Sequence, residues 1–162
     1  LQVGRARFRE RAMVVADDLG EAREILLSGD RSRIVAGRAV GVDGCVFLFP
    51  GGGAQYVRMG RGLYDALPDF RAEVDRGLAL LWEREGIDLR PLWLEAPDAE
   101  SVSRDFQRPS VQLPALFILE MALARQLMRW GFEPTALIGH SMGENTAACL
   151  AGEADAFEIG LL

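Results

Sequence analysis

The sequence predicts an α/β fold, and three segments carry that prediction. Cys45–Phe49 is a continuous apolar run of strand length, which is typical of a strand buried on both faces of a sheet. Pro114–Trp130 has the apolar spacing of a core helix. Ala136–Ile138, the turn Gly139–Gly143 and the Ala-rich stretch Glu144–Ala151 predict a strand, a tight turn and a helix, the order that an α/β fold requires.

A small α+β segment is predicted ahead of this fold. Arginine occupies every odd position of Arg5–Arg11, which favours a solvated strand face or a linker over an anion site. Ala12–Ala16 is β-prone, and Asp17-Asp18 can cap a helix that runs to about Leu27. A second short apolar segment, Ile34–Ala36, follows that helix.

Glycines mark the boundary between the two parts. The stretch Gly37–Gly44 separates a predicted segment 1–40 from a main domain 41–162. Within the main domain, Tyr64–Trp82 has helical spacing, and Pro91–Ser103 is typical of a loop with a short turn or two.

One carboxylate falls on the apolar side of the predicted core helix. Arg125, Gln126 and Arg129 share the polar side of that helix, and Glu120 lies opposite them. A buried carboxylate needs a partner, which the sequence does not identify.

Composition excludes several classes of function. The net charge of −6 and pI near 4.9 argue against a nucleic-acid partner, because phosphate binding needs clustered positive charge. The 162 residues contain no Lys, which excludes Schiff-base chemistry through a lysine.

Cysteine usage and hydropathy predict a cytoplasmic protein with no metal site and no membrane partner. Cys45 and Cys149 lack zinc or redox spacing and are interpreted as buried free thiols in a reducing compartment. The apolar stretch Pro114–Ala124 is interrupted by Glu120 and is too short to span a bilayer. Since the chain begins without Met and ends at Leu162 without a helix cap, we expect it to be a piece of a longer protein.

The turn after the second strand has the pattern of a nucleophile elbow. Gly139-x-Ser141-x-Gly143 would hold Ser141 over the strand ends at a helix N-terminus, where free backbone N–H groups stabilise an oxyanion. Met142 would supply one such N–H, and the glycine run Gly51–Gly53 could present a second. A purely structural turn, and a Gly-rich loop without a ligand, remain the alternatives.

An activated serine requires a general base, and the chain contains a single histidine. His140 is the neighbour of Ser141 on the elbow and points in a different direction, so we interpret it as a support of the turn. If Ser141 is catalytic, its base lies beyond Leu162.

Three motifs together resemble the malonyl-CoA-type acyltransferases, and among them the acyltransferase domains of type I modular polyketide synthases. Phe47–Gln55 (FLFPGGGAQ) is similar to the family's Phe-Pro-Gly-Gln-Gly-x-Gln motif, and Gln112, Pro114, Ala115 and Leu116 lie in a region that resembles its Gln-Pro-Ala-Leu helix. Gly139–Glu144 (GHSMGE) is similar to its Gly-His-Ser-x-Gly-Glu elbow. Residues 1–40 resemble the linker between the ketosynthase and acyltransferase domains.

The resemblance implies an α/β-hydrolase-like acyltransferase large subdomain, present here in part. It implies that Ser141 takes an acyl group from coenzyme A and passes it to the phosphopantetheine thiol of an acyl carrier protein, with no bound cofactor. By match, the backbone N–H groups of Met142 and Gly52 would form the oxyanion hole, although the family normally has Gln where Gly52 stands. Gln55 and His140 are assigned to the substrate site.

The resemblance also bears on the substrate and the partners. In the family, an apolar residue at the position of Met142 favours malonyl over methylmalonyl. The family's Arg that binds the substrate carboxylate and its His that acts as the general base both fall after Leu162. Expected partners are acyl-CoA, an acyl carrier protein, the adjacent ketosynthase domain and the rest of the acyltransferase domain. The isolated chain is therefore expected to be inactive and poorly soluble. The competing hypotheses are an esterase or thioesterase with the same elbow, and a linker or docking fragment without catalysis.

Overall fold

The chain forms two compact units that divide between residues 43 and 44. This computed structural model describes residues 6, 8–41, 44–97 and 104–152. Arg5 and Arg7 of the odd-position arginine pattern, and positions 98–103 of the predicted loop, lie outside the described residues.

The first unit is a two-stranded antiparallel sheet with one helix between its strands. Strand β1 spans Glu10–Val14, helix α1 spans Leu19–Ser28 and strand β2 spans Ile34–Arg38. The Asp18 side chain accepts a hydrogen bond from the backbone N–H of Glu21 at 2.9 Å, so the predicted N-cap is confirmed. The identity of this unit as an interdomain linker stays a prediction.

The second unit contains the parallel pair of strands together with several helices. In chain order its described elements are β3 (Cys45–Phe49), α2 (Arg61–Ala66), α3 (Pro68–Glu85), α4 (Pro109–Arg129), β4 (Pro134–Gly139) and α5 (Met142–Ala151). Strands β3 and β4 pair in parallel, as the strand-turn-helix pattern predicts for an α/β fold.

Proline places two helix boundaries differently from the prediction. The single helix expected over Tyr64–Trp82 is broken at Leu67, and Pro68 begins helix α3 at a position where its missing N–H costs nothing. For the same reason Pro109 begins helix α4, and Pro114, expected to open that helix, lies inside it.

Strand β3 is covered on one face only by the described residues. The prediction that both faces are buried is wrong for this chain, since Val46 is 46% exposed and Leu48 is 71% exposed. β4 is the one described strand that pairs with β3, and the helix that packs against both strands is α5. A continuous apolar run indicates a strand suited to burial on both faces. It does not indicate whether the same chain supplies the helices that cover both faces.

Helix α4 is the centre of the core. By length and composition alone its 21 residues could cross a bilayer, because the helix extends beyond the predicted stretch Pro114–Ala124 at both ends. More than half of its most apolar stretch is buried against the rest of the unit, which is what a core helix shows. Ala115, Phe117 and Met121 on this helix are fully buried.

Trp93 anchors the segment that follows the glycine run. Its indole is fully buried, and its Nε1 donates to the backbone carbonyl of Met59 at 2.9 Å. The carbonyl of Trp93 in turn accepts from the Arg58 N–H at 2.9 Å, so one side chain and one backbone group hold residues 58 and 59.

Trp93→Phe is expected to destabilise the protein by about 2–4 kcal/mol, because it leaves a cavity and an unsatisfied buried carbonyl at Met59. The free energy of unfolding from urea titration measures this. Trp82→Phe is the matched control, since Trp82 is 58% exposed and should cost little. Equal losses from both substitutions would contradict the anchoring role.

Candidate active site

The parallel register of β3 and β4 brings two loops to the same edge of the sheet. Phe49 at the end of β3 lies opposite Gly139 at the end of β4. The ladder continues by one bond, from the N–H of His140 to the carbonyl of Phe49 at 3.0 Å. The glycine run after β3 and the elbow after β4 are therefore neighbours.

Ser141 has the strained backbone of a nucleophile elbow. Its φ of 54° and ψ of −121° lie outside the regions that a residue with a side chain prefers. Ser141 precedes the first residue of helix α5, yet its side chain makes no capping hydrogen bond, and the residue is exposed. The hydroxyl at this helix end is therefore available for chemistry instead of serving as a cap.

Two elbow glycines are required by close backbone contacts. A Cβ on Gly139 would stand 2.2 Å from the N of Glu144 and the carbonyl of Gly143, and a Cβ on Gly143 would stand 2.2 Å from the carbonyl oxygen of Phe49. Backbone atoms at such distances cannot move aside. The glycine spacing predicted from sequence therefore has a steric cause.

The glycine run packs directly on the elbow. A Cβ added to Gly51 would lie 2.8 Å from the Cβ of Ser141 and 3.1 Å from Nδ1 of His140. Gly51 is buried, whereas Gly52 is exposed. The N–H of Met142 lies in the first turn of helix α5, where the helix provides no acceptor. The loop carrying Gly52 and this helix N-terminus meet beside Ser141, which is the arrangement that an oxyanion hole needs.

Gln55 is held inside the glycine loop. Its side-chain Oε1 accepts from the N–H of Gly53 at 2.7 Å, and its Nε2 donates to Oε1 of Gln107. The residue is only 8% exposed. The side chain is thus bonded to protein at both ends, and its assignment to the substrate site stays a prediction. Gln107 was missed because no sequence pattern links it to a residue 52 positions earlier.

His140 is exposed and lies against Gly51. Its support of the turn and its role toward substrate both stay predictions. The sequence holds no second histidine, so the general base for Ser141 stays unassigned.

The carboxylate of Glu120 has the partner that the sequence could not identify. Thr146 on helix α5 donates its hydroxyl to Oε2 of Glu120 at 2.6 Å, and both residues are buried. The second oxygen, Oε1, makes no hydrogen bond to any of the described residues. Burial raises the pKa of Glu120 to about 7, and the Thr146 hydrogen bond opposes part of that rise. The pair joins the core helix to the elbow helix.

Stability is expected to fall between about pH 4.5 and pH 7 because of Glu120. In that window the folded chain keeps a proton that the unfolded chain has released, so the stabilisation is complete below pH 4.5 and is lost as the pH rises through 7. At about 1.4 kcal/mol per pH unit the loss has an upper limit of about 3–4 kcal/mol, and the actual loss is smaller because Glu120 borders an open groove. Urea titrations across this range should show the decline in wild type.

Glu120→Gln should flatten this pH dependence, because the amide still accepts from Thr146 and carries no charge. Glu83→Gln controls for the loss of one carboxylate from an exposed helical position. A decline that persists unchanged in Glu120→Gln would assign the effect to another group.

The polar side of helix α4 differs in part from the prediction. Arg125 and Arg129 both bind Glu73 on helix α3, at 2.6 Å and 2.9 Å. Gln126, expected on the same polar side, is buried, and within the part of the chain that the structure describes its Oε1 has no hydrogen-bond partner. Helix α3 packs against α4 at this point, which periodicity within one helix cannot show.

The predicted thiols differ in their environments. Cys149 is buried, and burial raises the pKa of its thiol, as for an inert core cysteine. Cys45 is half-buried, and its Sγ donates to the carbonyl of Glu133 at 3.5 Å. Within the described ranges, no group of three His, Cys, Asp or Glu side chains could hold a metal ion.

Comparison with known proteins identifies one family. The family model of the acyl transferase domain matches residues 46–160. The phenolphthiocerol synthesis polyketide synthase type I Pks15/1 of Mycobacterium marinum is 36% identical over 157 residues, covering 92% of this chain. Erythronolide synthase EryA3 of Saccharopolyspora erythraea is 36% identical over 155 residues, covering 94% of the chain.

Solved structures agree with the sequence comparison. The acyl transferase domain of ZmaA superposes with a TM-score of 0.86 at 32% identity, covering 99% of this chain. The acyl transferase domain of SpnD, solved in complex with 2-(pent-4-yn-1-yl)malonyl, has a TM-score of 0.75 at 41% identity and covers 97%. The chain spans 38% and 36% of those two domains, 7% of the Mycobacterium marinum synthase and 5% of EryA3.

Proposed function

We propose a function for this chain from its family, because the chain belongs to the acyl transferase domain family and its relatives are modular type I polyketide synthases. The proposed reaction moves an acyl group from an acyl-CoA to the phosphopantetheine thiol of an acyl carrier protein during polyketide biosynthesis. Ser141 carries the acyl group between the two thiols.

One observation carries the proposal. Ser141 adopts a strained backbone between strand β4 and helix α5, and its side chain makes no capping bond. Strain of this kind costs on the order of 1–3 kcal/mol and persists where the surrounding structure over-determines it, which is common at catalytic nucleophiles. The contacts of Gly139 and Gly143 supply that surrounding structure.

In the first half-reaction, Oγ of Ser141 attacks the thioester carbonyl of acyl-CoA and gives up its proton to a general base. The carbonyl oxygen becomes an oxyanion that accepts hydrogen bonds from the backbone N–H groups of Met142 and Gly52. Collapse of this intermediate breaks the carbon–sulfur bond. The base gives its proton to the departing thiolate, so coenzyme A leaves as a thiol. The product is an ester on Ser141.

In the second half-reaction, the thiol of the carrier protein attacks that ester through the same oxyanion site. Its proton passes through the base to Oγ of Ser141, which restores the enzyme. The coenzyme A thioester is thus a substrate and coenzyme A a product, and the proposed reaction needs no resident cofactor or metal. The base and the cation for the acyl carboxylate are supplied by the remainder of the domain, so this chain alone is inactive.

Malonyl-CoA is the proposed extender. Met142 follows the nucleophile, and its side chain is apolar and half-buried at the start of helix α5. An apolar residue at this position favours malonyl over methylmalonyl. The proposed setting is a cytoplasmic multienzyme with an adjacent ketosynthase domain.

The test follows the fate of the acyl group in the full-length protein that contains this chain. The protein is incubated with an equal mixture of malonyl-CoA and methylmalonyl-CoA, with and without phosphopantetheinylated carrier protein, and both proteins are weighed by mass spectrometry. We expect a malonyl adduct on the enzyme that moves to the carrier protein when it is added.

Two other outcomes would redirect the assignment. Release of free acid at the same rate with and without carrier protein would identify a thioesterase that uses the same elbow. Absence of any adduct or turnover would favour a linker or docking role. A methylmalonyl adduct would keep the acyl transfer and overturn the extender assignment.

A further inference from the structure

A side-chain relay reaches the glycine loop from the turn that precedes helix α4. The N–H of Gly53 donates to Oε1 of Gln55 at 2.7 Å, and Nε2 of Gln55 donates to Oε1 of Gln107. The backbone N–H of Gly53 can only donate, which fixes the orientation of the Gln55 amide and therefore requires an acceptor at Gln107. The two hydrogen bonds of the relay therefore run in one direction, from the Gly53 donor through Gln55 to the Gln107 acceptor.

The glycine loop has no side chains of its own with which to pack, and the side chains of Leu113 and Gln112 on helix α4 lie near Gly52. Residues 51–53 are all glycine, so no side chain packs, and Gly53 has a φ of 111°. The turn's own hydrogen bond, from the N–H of Ala54 to the carbonyl of Gly51, is long at 3.4 Å. Three successive glycines leave the backbone with more conformations than any other triplet. A bond to Gly53 from outside the turn therefore decides its geometry.

The position of the relay gives it a consequence for catalysis. Gly53 follows Gly52, and Gly51 on the other side is packed on Ser141 and His140. The elbow thus fixes one end of the run, and the relay fixes the other. Between these two points lies the N–H of Gly52, which must aim at the oxyanion.

We propose that Gln107 is a positioning residue for the oxyanion hole, acting through Gln55 to hold the loop that carries the Gly52 N–H. This inference rests on the proposed acyl transfer and adds a residue that touches neither substrate nor nucleophile. Gln107 is exposed, so its side chain is not required by the core.

The first test compares Gln107→Leu with Gln107→Glu in the full-length protein. The rate of malonyl transfer to Ser141 is measured in single turnovers over a range of malonyl-CoA concentrations. Gln107→Leu removes the acceptor, and we expect a roughly tenfold to hundredfold lower maximal rate with an unchanged half-saturating concentration, because a donor misplaced by about 1 Å costs that much. Gln107→Glu keeps the acceptor and should keep most of the rate.

The second test is a double-mutant cycle that does not depend on a hydrophobic substitution. Gln55→Glu can have an effect of any size by itself, because the cycle measures Gln107→Glu both in wild type and in the Gln55→Glu background and so divides that effect out. Gln107→Glu alone should be tolerated because Gln55 still donates. The double variant sets two carboxylates against each other, and we expect a loss of rate at least tenfold beyond the product of the two single effects.

The outcomes separate this inference from the proposed function. If wild type forms no acyl-Ser141, the proposed function fails. If wild type is acylated and both Gln107→Leu and the double variant keep the wild-type rate, the positioning role is wrong and the acyl transfer stands. A change in half-saturation without a change in maximal rate would also overturn it, because that would indicate substrate binding.

Discussion

Gly143→Ala is expected to abolish Ser141 acylation and to destabilise the domain by about 3 kcal/mol or more. The added Cβ would stand 2.2 Å from the carbonyl oxygen of Phe49, 2.6 Å from its carbonyl carbon and 2.8 Å from the carbonyl oxygen of Pro50. These are backbone atoms of β3 and the residue after it, so relief requires the elbow helix to move away from the sheet. That movement would separate Met142 from the glycine loop.

The control for this prediction is Gly62→Ala in helix α2. Nothing lies within 4 Å of a Cβ at that position, and its backbone is helical, so the substitution should be neutral or stabilise by up to about 1 kcal/mol. Urea titration and the single-turnover acylation assay measure the two effects. Retention of both stability and acylation by Gly143→Ala would show that the elbow is looser than its contacts indicate.

Ser141→Ala is expected to lower acyl transfer by roughly a thousandfold or more without unfolding the protein, because it removes the nucleophile and leaves the backbone contacts unchanged. Ser141→Gly should be equally inactive and more stable by about 1 kcal/mol, because glycine adopts a φ of 54° without strain. Loss of activity combined with a gain in stability is the signature of a residue strained for function.

Ser110→Ala, at an exposed position in the first turn of helix α4, is the matched control for loss of a hydroxyl. It should change neither transfer nor stability. Residual transfer by Ser141→Ala above a tenth of the wild-type rate would contradict a covalent role for Ser141.

The elements that sequence predicts well are those whose causes are local. The run Pro134–Ala151 gives a strand, a turn and a helix because glycine spacing, apolar run length and helix propensity all act within a few residues. The N-cap at Asp18 also has a local cause, because its hydrogen bond joins residues three positions apart. Pro68 shows the limit of periodicity, since the apolar spacing continues across a break that proline imposes.

The features that sequence does not reveal are long-range. Gln107 and Gln55 are 52 positions apart, and Glu120 and Thr146 are 26 apart, so each pair exists only once the helices have packed. Glu120 could be recognised as a carboxylate in need of a partner, but not Thr146 as the residue that serves it. The exposure of Val46 and Leu48 on one face of β3 likewise depends on which other elements of the chain pack against the strand.

The covalent role of Ser141 is tested most directly by peptide mapping of the full-length protein after brief exposure to malonyl-CoA and an acid quench. We expect a single malonyl ester on the peptide containing Ser141, absent from Ser141→Ala and released on addition of carrier protein. An ester at any other residue, or a malonyl adduct that survives in Ser141→Ala, would contradict it.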